Sequence, residues 1–276
     1  MQMMCAWKEL LGILPQWMRQ EVDRWGREKA QELRLRCNAP PEMITGSVSI
    51  WLSGTVKESD LQFVINTACR YSPWAAETMA LGYLTASGGH RIGLCGEAVV
   101  HSGTVTGLRH TDSLCIRIAR DYPGIGKGIP TNGSILILGA PGWGKTTLLR
   151  DVSRILAEKE TVSVVDERSE LFPPGFVRGK RMDVLSLSPK TEGIDRVLRT
   201  MGPDCIVVDE ITATQDCEAL LHAYGCGVKL LASAHAASMS DYKSREIYRP
   251  LTECGVFTHI LLLNRDKRWR MERSIP

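Results

Sequence analysis

A chain of 276 residues, 43% of them apolar and with a formal charge of +3, holds material for one large or two modest domains and is not basic enough to point to a nucleic-acid partner. Its nine cysteines form no C-x-x-C pair and have no histidines at zinc spacing, which argues for free thiols in a reducing cytoplasm and against a zinc module or disulfide framework. The start has no basic region followed by an apolar core and no run approaches ~18 apolar residues, so neither a signal peptide nor direct membrane insertion is expected.

Leu10, Leu11, Leu14, Trp17, Met18, Val22 and Trp25 recur at near-helical spacing with Pro15 between them, which predicts one or two short helices before residue 35. Glu32 to Arg36 alternates as a strand with Leu33 and Leu35 on one face and solvated arginines on the other. Ser59-Asp60-Leu61-Gln62 reads as a capping box opening a helix that carries Leu61, Val64, Ile65 and Ala68. Ser72-Pro73 has the chemistry of a further helix start. Ser87 to Val99 reads as a turn into a glycine-rich strand, Ser102-Gly103 as a turn, and Thr104–Leu108 and Leu114–Ala119 as two more strands. Residues 1–120 are therefore read as an α+β domain. Residues 121–133, dense in Gly and Pro and without a period, are read as a linker.

Residues 134–276 alternate apolar strands, at about 135–138, 162–166, 205–209, 228–233 and 257–263, with helices marked by Ile194, Val197, Leu198 and Met201 and by Cys217, Leu220, Leu221 and Tyr224. That alternation predicts an α/β fold with a parallel sheet covered on both faces and a ligand at the carboxyl ends of its strands. The first strand runs into Gly139-Ala140-Pro141-Gly142-Trp143-Gly144-Lys145-Thr146-Thr147, which fits the phosphate-loop pattern G-x-x-x-x-G-K-[ST] at each fixed position and opens a helix. Backbone amides of such a loop cradle phosphates, Lys145 would reach the β- and γ-phosphates, and the Thr146 hydroxyl would ligate Mg²⁺. Cys205 to Glu210 is an apolar strand ending in two carboxylates, with Asp209 placed to hold Mg²⁺ through water. Two further strand ends carry polar groups: Asp166-Glu167-Arg168-Ser169-Glu170, and His235 after Ala234.

Taken together, Gly88-Gly89-His90-Arg91-Ile92-Gly93, Ile116-Arg117-Ile118-Ala119-Arg120, the phosphate loop with Leu149-Arg150-Asp151, Val165 to Glu170, Val208-Asp209-Glu210-Ile211 and Ala234-His235 resemble the stage III sporulation protein AA family of endospore-forming bacteria, relatives of the type II and type IV secretion ATPases. The resemblance covers most of residues 32–263. It implies a RecA-like ATPase domain behind a smaller N-terminal domain, ATP and Mg²⁺ as ligands, and a homo-hexamer. It also implies a cytoplasmic location, on the mother-cell side, in association with membrane-embedded sporulation channel proteins. Residues 166–167 resemble the acidic box of secretion ATPases and His235 resembles their histidine box. Trp143 stands where a small residue is usual, and the residues around His235 lack the customary Thr and Gly.

The expected function is Mg²⁺-dependent ATP hydrolysis that powers assembly of, or transport through, a membrane-spanning channel. The alternatives are a nucleic-acid motor, for which only the basic runs Arg178–Arg181 and Arg265–Arg270 speak, and a slow nucleotide-binding structural subunit, against which Glu210 speaks. Glu210 and Glu167 compete as the base that orients water, with Glu210 preferred for its place after the Mg²⁺ aspartate. Arg117, projecting away from Ile116 and Ile118, and Arg91, opening the glycine-rich strand, are the candidates for a further cation on the γ-phosphate.

Overall fold

The computed structural model describes residues 5–69, 79 and 82–273. The chain forms two compact units, one built on the residues up to Asp121 together with Pro173–Phe176, the other on Tyr122–Phe172 and Val177 onward.

The first unit packs helices Trp7–Ile13, Gln16–Gly26 and Glu58–Cys69 on a sheet of β1 (Glu32–Arg36), β2 (Glu42–Thr45), β3 (Val48–Trp51), β4 (Tyr83–Thr85), β5 (Arg91–His101) and β6 (Thr104–Arg117). The strand order is β3-β2-β1-β6-β5-β4, antiparallel throughout. Leu33 and Leu35 are fully buried against Leu10, Met18, Leu61, Val64 and Ile116, so the alternation of β1 sets the sheet face that carries the core. The arginines on its other face are only partly solvated: Arg34 pairs with Glu32 at 2.9 Å and Arg36 with Glu42 at 2.6 Å.

Two local expectations are corrected. The helix at Glu58 begins one residue before Ser59, and Asp60 rather than Ser59 accepts from the first exposed amide, Lys57 N–H, at 2.9 Å. The two strands predicted over 104–119 are one, because β6 stays paired to β5 through the polar stretch Arg109–Ser113 by means of bulges at Cys95/Gly96, Glu97/Ala98 and Val99/Val100. β2 and β3 have no counterpart in the pattern because each has only four residues, and β3 is in addition largely exposed. The Ser72-Pro73 helix start lies outside the described residues.

The second unit is a seven-stranded sheet: β7 (Ile135–Leu138), β8 (Val162–Asp166), β9 (Met182–Ser186), β10 (Cys205–Ile211), β11 (Lys229–Ala234), β12 (His259–Leu263) and β13 (Trp269–Arg273). The order is β13-β12-β7-β11-β10-β8-β9, parallel except for the β12/β13 pair. Its central strands are buried on both faces, and successive side chains go to different cores. Ile135, Ile137, Val162, Val164 and Val207 join the helix Lys145–Leu156. Leu136, Leu138, Val165, Ile206 and Val208 join the helices Lys190–Met201 and Thr214–Gly225. This is the continuous apolar run of a doubly covered parallel sheet. On those two helices Met201 and Tyr224, predicted to face the core, are exposed at 43% and 41%; each sits in the last turn, beyond the reach of the sheet. The edge strands β9 and β13 carry too few consecutive apolar residues to have been anticipated.

The segment read as a linker packs, from Tyr122, with the second unit. The buried carboxylate of Asp151 accepts from Gly124 N–H at 3.0 Å and from Gly126 N–H at 2.7 Å.

At the first bulge of the β5/β6 ribbon, a Cβ on Gly96 would stand 1.9 Å from the carbonyl oxygen of His110. Gly96→Ala should therefore destabilise the first unit by about 1–3 kcal/mol, as overpacking does. An unchanged denaturant midpoint would mean that the ribbon accommodates the methyl group by shifting.

Candidate functional site

The carboxyl end of β7 turns into the glycine loop because Gly142 and Gly144 take φ values of +77° and +98°, a region that side chains disfavour. The helix Lys145–Leu156 follows with no side-chain cap among the described residues, so its first-turn amides and the positive end of its dipole face outward, ready for an anion. Lys145 is 7% exposed. Its Nζ donates to Gly139 O at 2.9 Å and Ala140 O at 3.4 Å, and lies 2.8 Å from His235 Nδ1. Burial pushes its pKa down, while Glu210 and Asp209 work in the opposite direction.

β11 is inserted between β7 and β10, and this order decides who meets whom. His235, just past the end of β11, stands between Lys145 and Glu210: its Nε2 is 2.5 Å from Glu210 Oε1. An ammonium can only donate, so Nδ1 of His235 accepts and Nε2 carries the hydrogen facing Glu210. The approach is short without being aligned as a hydrogen bond, and Glu210 Oε1 is otherwise buried and unpartnered. The pairing of β10 with β11 slips between Val208 and Glu210, so Asp209 is the extra residue of a bulge, and the Ser233 hydroxyl fixes its carbonyl at 2.6 Å. Asp209 Oδ1 accepts from the Thr146 hydroxyl at 3.5 Å. Burial, then the neighbouring carboxylates Glu170, Asp166 and Glu210, raise the pKa of Asp209 to about 7 against the pull of Lys190. A carboxylate crowded in this way, beside a threonine hydroxyl and a phosphate loop, is a donor set suited to a hard divalent cation that keeps several waters.

Of the nine loop residues and the side chains singled out in the sequence, Lys145, Thr146, Asp209, Glu210 and His235 lie together. Glu167 is held elsewhere on the same edge by Lys190, whose Nζ is 2.8 Å from Glu167 Oε2, 3.4 Å from Asp216 Oδ2 and 3.4 Å from the Thr212 hydroxyl. Asp166 is fully buried and accepts from the amides of Glu170, Leu171 and Phe172 at 2.9, 3.0 and 2.9 Å, which makes it the anchor of the loop after β8. The Arg150 guanidinium, from the phosphate-loop helix, donates to the carbonyls of Leu171 and Glu170 in that loop. Arg117 and Arg91 belong to the first unit: Arg117 lies 3.8 Å from Glu32 and is largely exposed, and Arg91 stacks its guanidinium over Tyr83 at 4.2 Å.

Lys190 and Asp216 were not legible as site residues. Lys190 follows Ser188-Pro189 at a helix start, a place where a lysine is ordinarily solvated. Asp216 does have a signal, since it stands where an N-terminal carboxylate can close on the amides of Thr212 and Ala213, as it does at 2.8 and 3.1 Å.

Comparison with known proteins agrees on the fold. Residues 8–275 match the family model described as Sporulation stage III, protein AA. The chain is 35% identical over 280 residues to Stage III sporulation protein AA of Bacillus subtilis (strain 168), covering 94% of this chain and 91% of that protein. Among solved structures it is similar to the ATPase DotB of Legionella pneumophila, with a TM-score of 0.62 at 17% identity over 94% of this chain and 80% of that one. It is also similar to the pilus retraction motor PilT with bound ADP, with a TM-score of 0.62 at 15% identity over 88% and 76%. At those identities the likeness is one of fold. Among the described residues no helix is long and apolar enough to cross a membrane.

The Lys190 network gives a stability prediction. Lys190→Met removes the cation between Glu167 and the buried Asp216, and should cost about 2 kcal/mol, less than the ~3–5 kcal/mol of a fully enclosed pair because Glu167 is part-exposed. A thermal or denaturant midpoint equal to that of the wild type would show that the two carboxylates do not depend on it.

Proposed function

The chain belongs to the sporulation stage III protein AA family, and on that premise we propose that it is a Mg²⁺-dependent ATP hydrolase. It works as a homo-hexamer, on the cytoplasmic, mother-cell face of a membrane-embedded sporulation channel, and its conformational cycle drives assembly of the channel or transport through it. The observation that carries the catalytic part is the convergence of Lys145, Thr146, Asp209 and Glu210 at an uncapped helix N-terminus, with His235 bridging two of them.

In this reading the loop Gly139–Thr147 holds the phosphates of ATP through its backbone N–H groups, all but that of Pro141, which has none, and Lys145 exchanges its carbonyl and imidazole partners for β- and γ-phosphate oxygens. A magnesium ion held by the Thr146 hydroxyl, and through water by Asp209, would neutralise charge on the phosphates. Glu210 orients a water molecule and takes its proton as the water oxygen bonds to the γ-phosphorus and the bond to the β-phosphate oxygen breaks, leaving ADP. Glu210 suits this role better than Glu167 because its Oε1 has no hydrogen-bond partner among the described residues, while Glu167 is already engaged by the Lys190 ammonium. His235, touching both Lys145 and Glu210, is placed to report the γ-phosphate to the base. The basic runs that would favour a nucleic-acid motor are partly neutralised, Lys180 by Glu158 at 3.5 Å and Arg270 by Glu272 at 2.8 Å, so that reading is not preferred.

Lys145→Ala should abolish hydrolysis and weaken nucleotide binding strongly; unchanged activity would end the proposal. Glu210→Gln should keep nucleotide binding and lose kcat, because a group acting on water contributes in the transition state. A Glu167→Gln enzyme that is inactive beside an active Glu210→Gln enzyme would reverse the assignment.

The further cation is assigned to Arg117 or Arg91 of the N-terminal unit, in cis or from a neighbouring subunit. Their alanine variants should bind ATP yet turn it over at least ~10²-fold more slowly, below the ~10³–10⁵ of an arginine finger to allow for a second cation. Wild-type rates in both single variants and in the double variant would remove both from the mechanism.

A further inference from the structure

A cavity of about 410 Å³ opens beside the phosphate loop, and nothing in the hydrolytic machinery described above occupies it. Its lining includes the end of the loop and the start of its helix, Trp143, Gly144 and Thr147, together with Tyr122 and Ile125 and with Trp269 of β13. Ile125, Trp143 and Trp269 are half-buried and pack against the core beneath the phosphate-loop face of the sheet, so the two indoles are held in place by the fold.

We propose that this cavity is the nucleobase subsite, in which a purine stacks between the aromatic walls formed by Trp143, Trp269 and Tyr122. The proposal rests on the nucleotide reading of the phosphate loop and deepens it. The chemistry of that loop sets the direction: Lys145 reaches the β- and γ-phosphates while the backbone toward the helix holds the α-phosphate. Ribose and base follow the α-phosphate, so they must leave the loop on the side of Gly144 and Thr147, and the cavity has both in its wall. A second hollow of about 300 Å³ lined by the same two tryptophans lacks both Gly144 and Thr147 and is therefore not the exit. The volume falls within the range of small-ligand pockets and exceeds what a purine needs, and flat π-faces with a few polar atoms are the surface on which bases stack. The Asp266 carboxylate at the wall is an acceptor for a base N–H or amino group. Trp143, the bulky residue of the loop, is thus a platform for the base and no obstruction to the phosphates.

The test compares two ligands that share a phosphate chain and differ in the base. Mg²⁺–ATP and Mg²⁺–tripolyphosphate are titrated calorimetrically into the full chain and into Tyr122→Ala, Trp269→Ala, Trp269→Phe, Trp143→Ala and Trp143→Phe variants. The wild type should bind ATP at least about tenfold more tightly than tripolyphosphate. That ratio should fall by about tenfold or more in Trp269→Ala, in Trp143→Ala and in Tyr122→Ala, as loss of a stacking platform predicts, and the phenylalanine variants should restore most of it. Tyr122→Ala and Trp269→Ala should leave tripolyphosphate binding unchanged, which also shows that they fold. A wild type that binds both ligands equally, or a ratio unmoved by these substitutions, overturns the base subsite while leaving the phosphate loop intact. Should Trp269→Ala fail to fold, Tyr122→Ala and the two Trp143 variants decide on the same criterion. A wild type that binds neither ligand overturns the phosphate-loop reading and the subsite with it.

Discussion

Two buried ammonium groups hold together a sheet edge that is otherwise acidic. Lys145 and Lys190 are each 7% exposed, and around them stand Glu167, Asp209, Glu210 and Asp216. A buried cation is tolerated only when it is paired and hydrogen-bonded, so the identity of its partners tells what it is for. Lys190 has carboxylates, which satisfy its charge and leave nothing for a ligand to improve on; it is a fixed brace between β8 and the start of the helix Thr214–Gly225. Lys145 has two carbonyl oxygens and an imidazole, neutral partners that a phosphate can displace with a gain in charge neutralisation. The same residue type at one edge therefore has one structural and one exchangeable instance.

Strand order makes this division workable. Because β11 lies between β7 and β10, the phosphate-loop lysine and the β10 carboxylates are separated by one strand, and the residue at the end of that strand fills the gap. His235 fills it with a ring that can face a donor on one nitrogen and an acceptor on the other. The bulge at Asp209 completes the arrangement. In a regular strand Asp209 and Glu210 would point to opposite faces, and the extra residue breaks that alternation at this edge.

What could be read from sequence follows the range of the interaction that sets it. The phosphate loop, the apolar runs of β7, β8, β10, β11 and β12, and the alternation of β1 are local patterns, and the residues carry them. β2, β3, β9 and β13 are short or edge strands whose pairing is decided by neighbours, and the continuity of β6 across Arg109–Ser113 depends on bulges that β5 imposes. The capping expectation at Ser59 failed because the helix already begins at Glu58, where Asp60 in its first turn reaches back to the Lys57 amide. In the site, residue types at strand ends named Lys145, Asp209, Glu210 and His235. The brace from Lys190 to Glu167 spans 23 residues and the one to Asp216 joins different elements, so neither has a sequence signature. The aromatic wall of the cavity is invisible for the same reason, since Tyr122, Trp143 and Trp269 come from three separate parts of the chain.

The phosphate-loop helix is also tied to the chain that follows Asp121. Asp151 lies on the same helix, beyond Lys145, and its carboxylate holds the amides of Gly124 and Gly126 in charge-assisted hydrogen bonds. A Cβ on Gly126 would stand 3.1 Å from Val152 Cγ2 and 3.2 Å from Ile155 Cδ1, so the absence of a side chain there is what lets this backbone lie directly on the helix. On its other flank Arg150 grips the loop after β8 through the carbonyls of Glu170 and Leu171, and that loop is anchored on Asp166. The helix thus has a backbone segment bonded to each of two adjacent residues, Arg150 and Asp151, with opposite charge and opposite hydrogen-bonding role. It cannot shift along its axis without carrying both segments or breaking buried charge-assisted bonds.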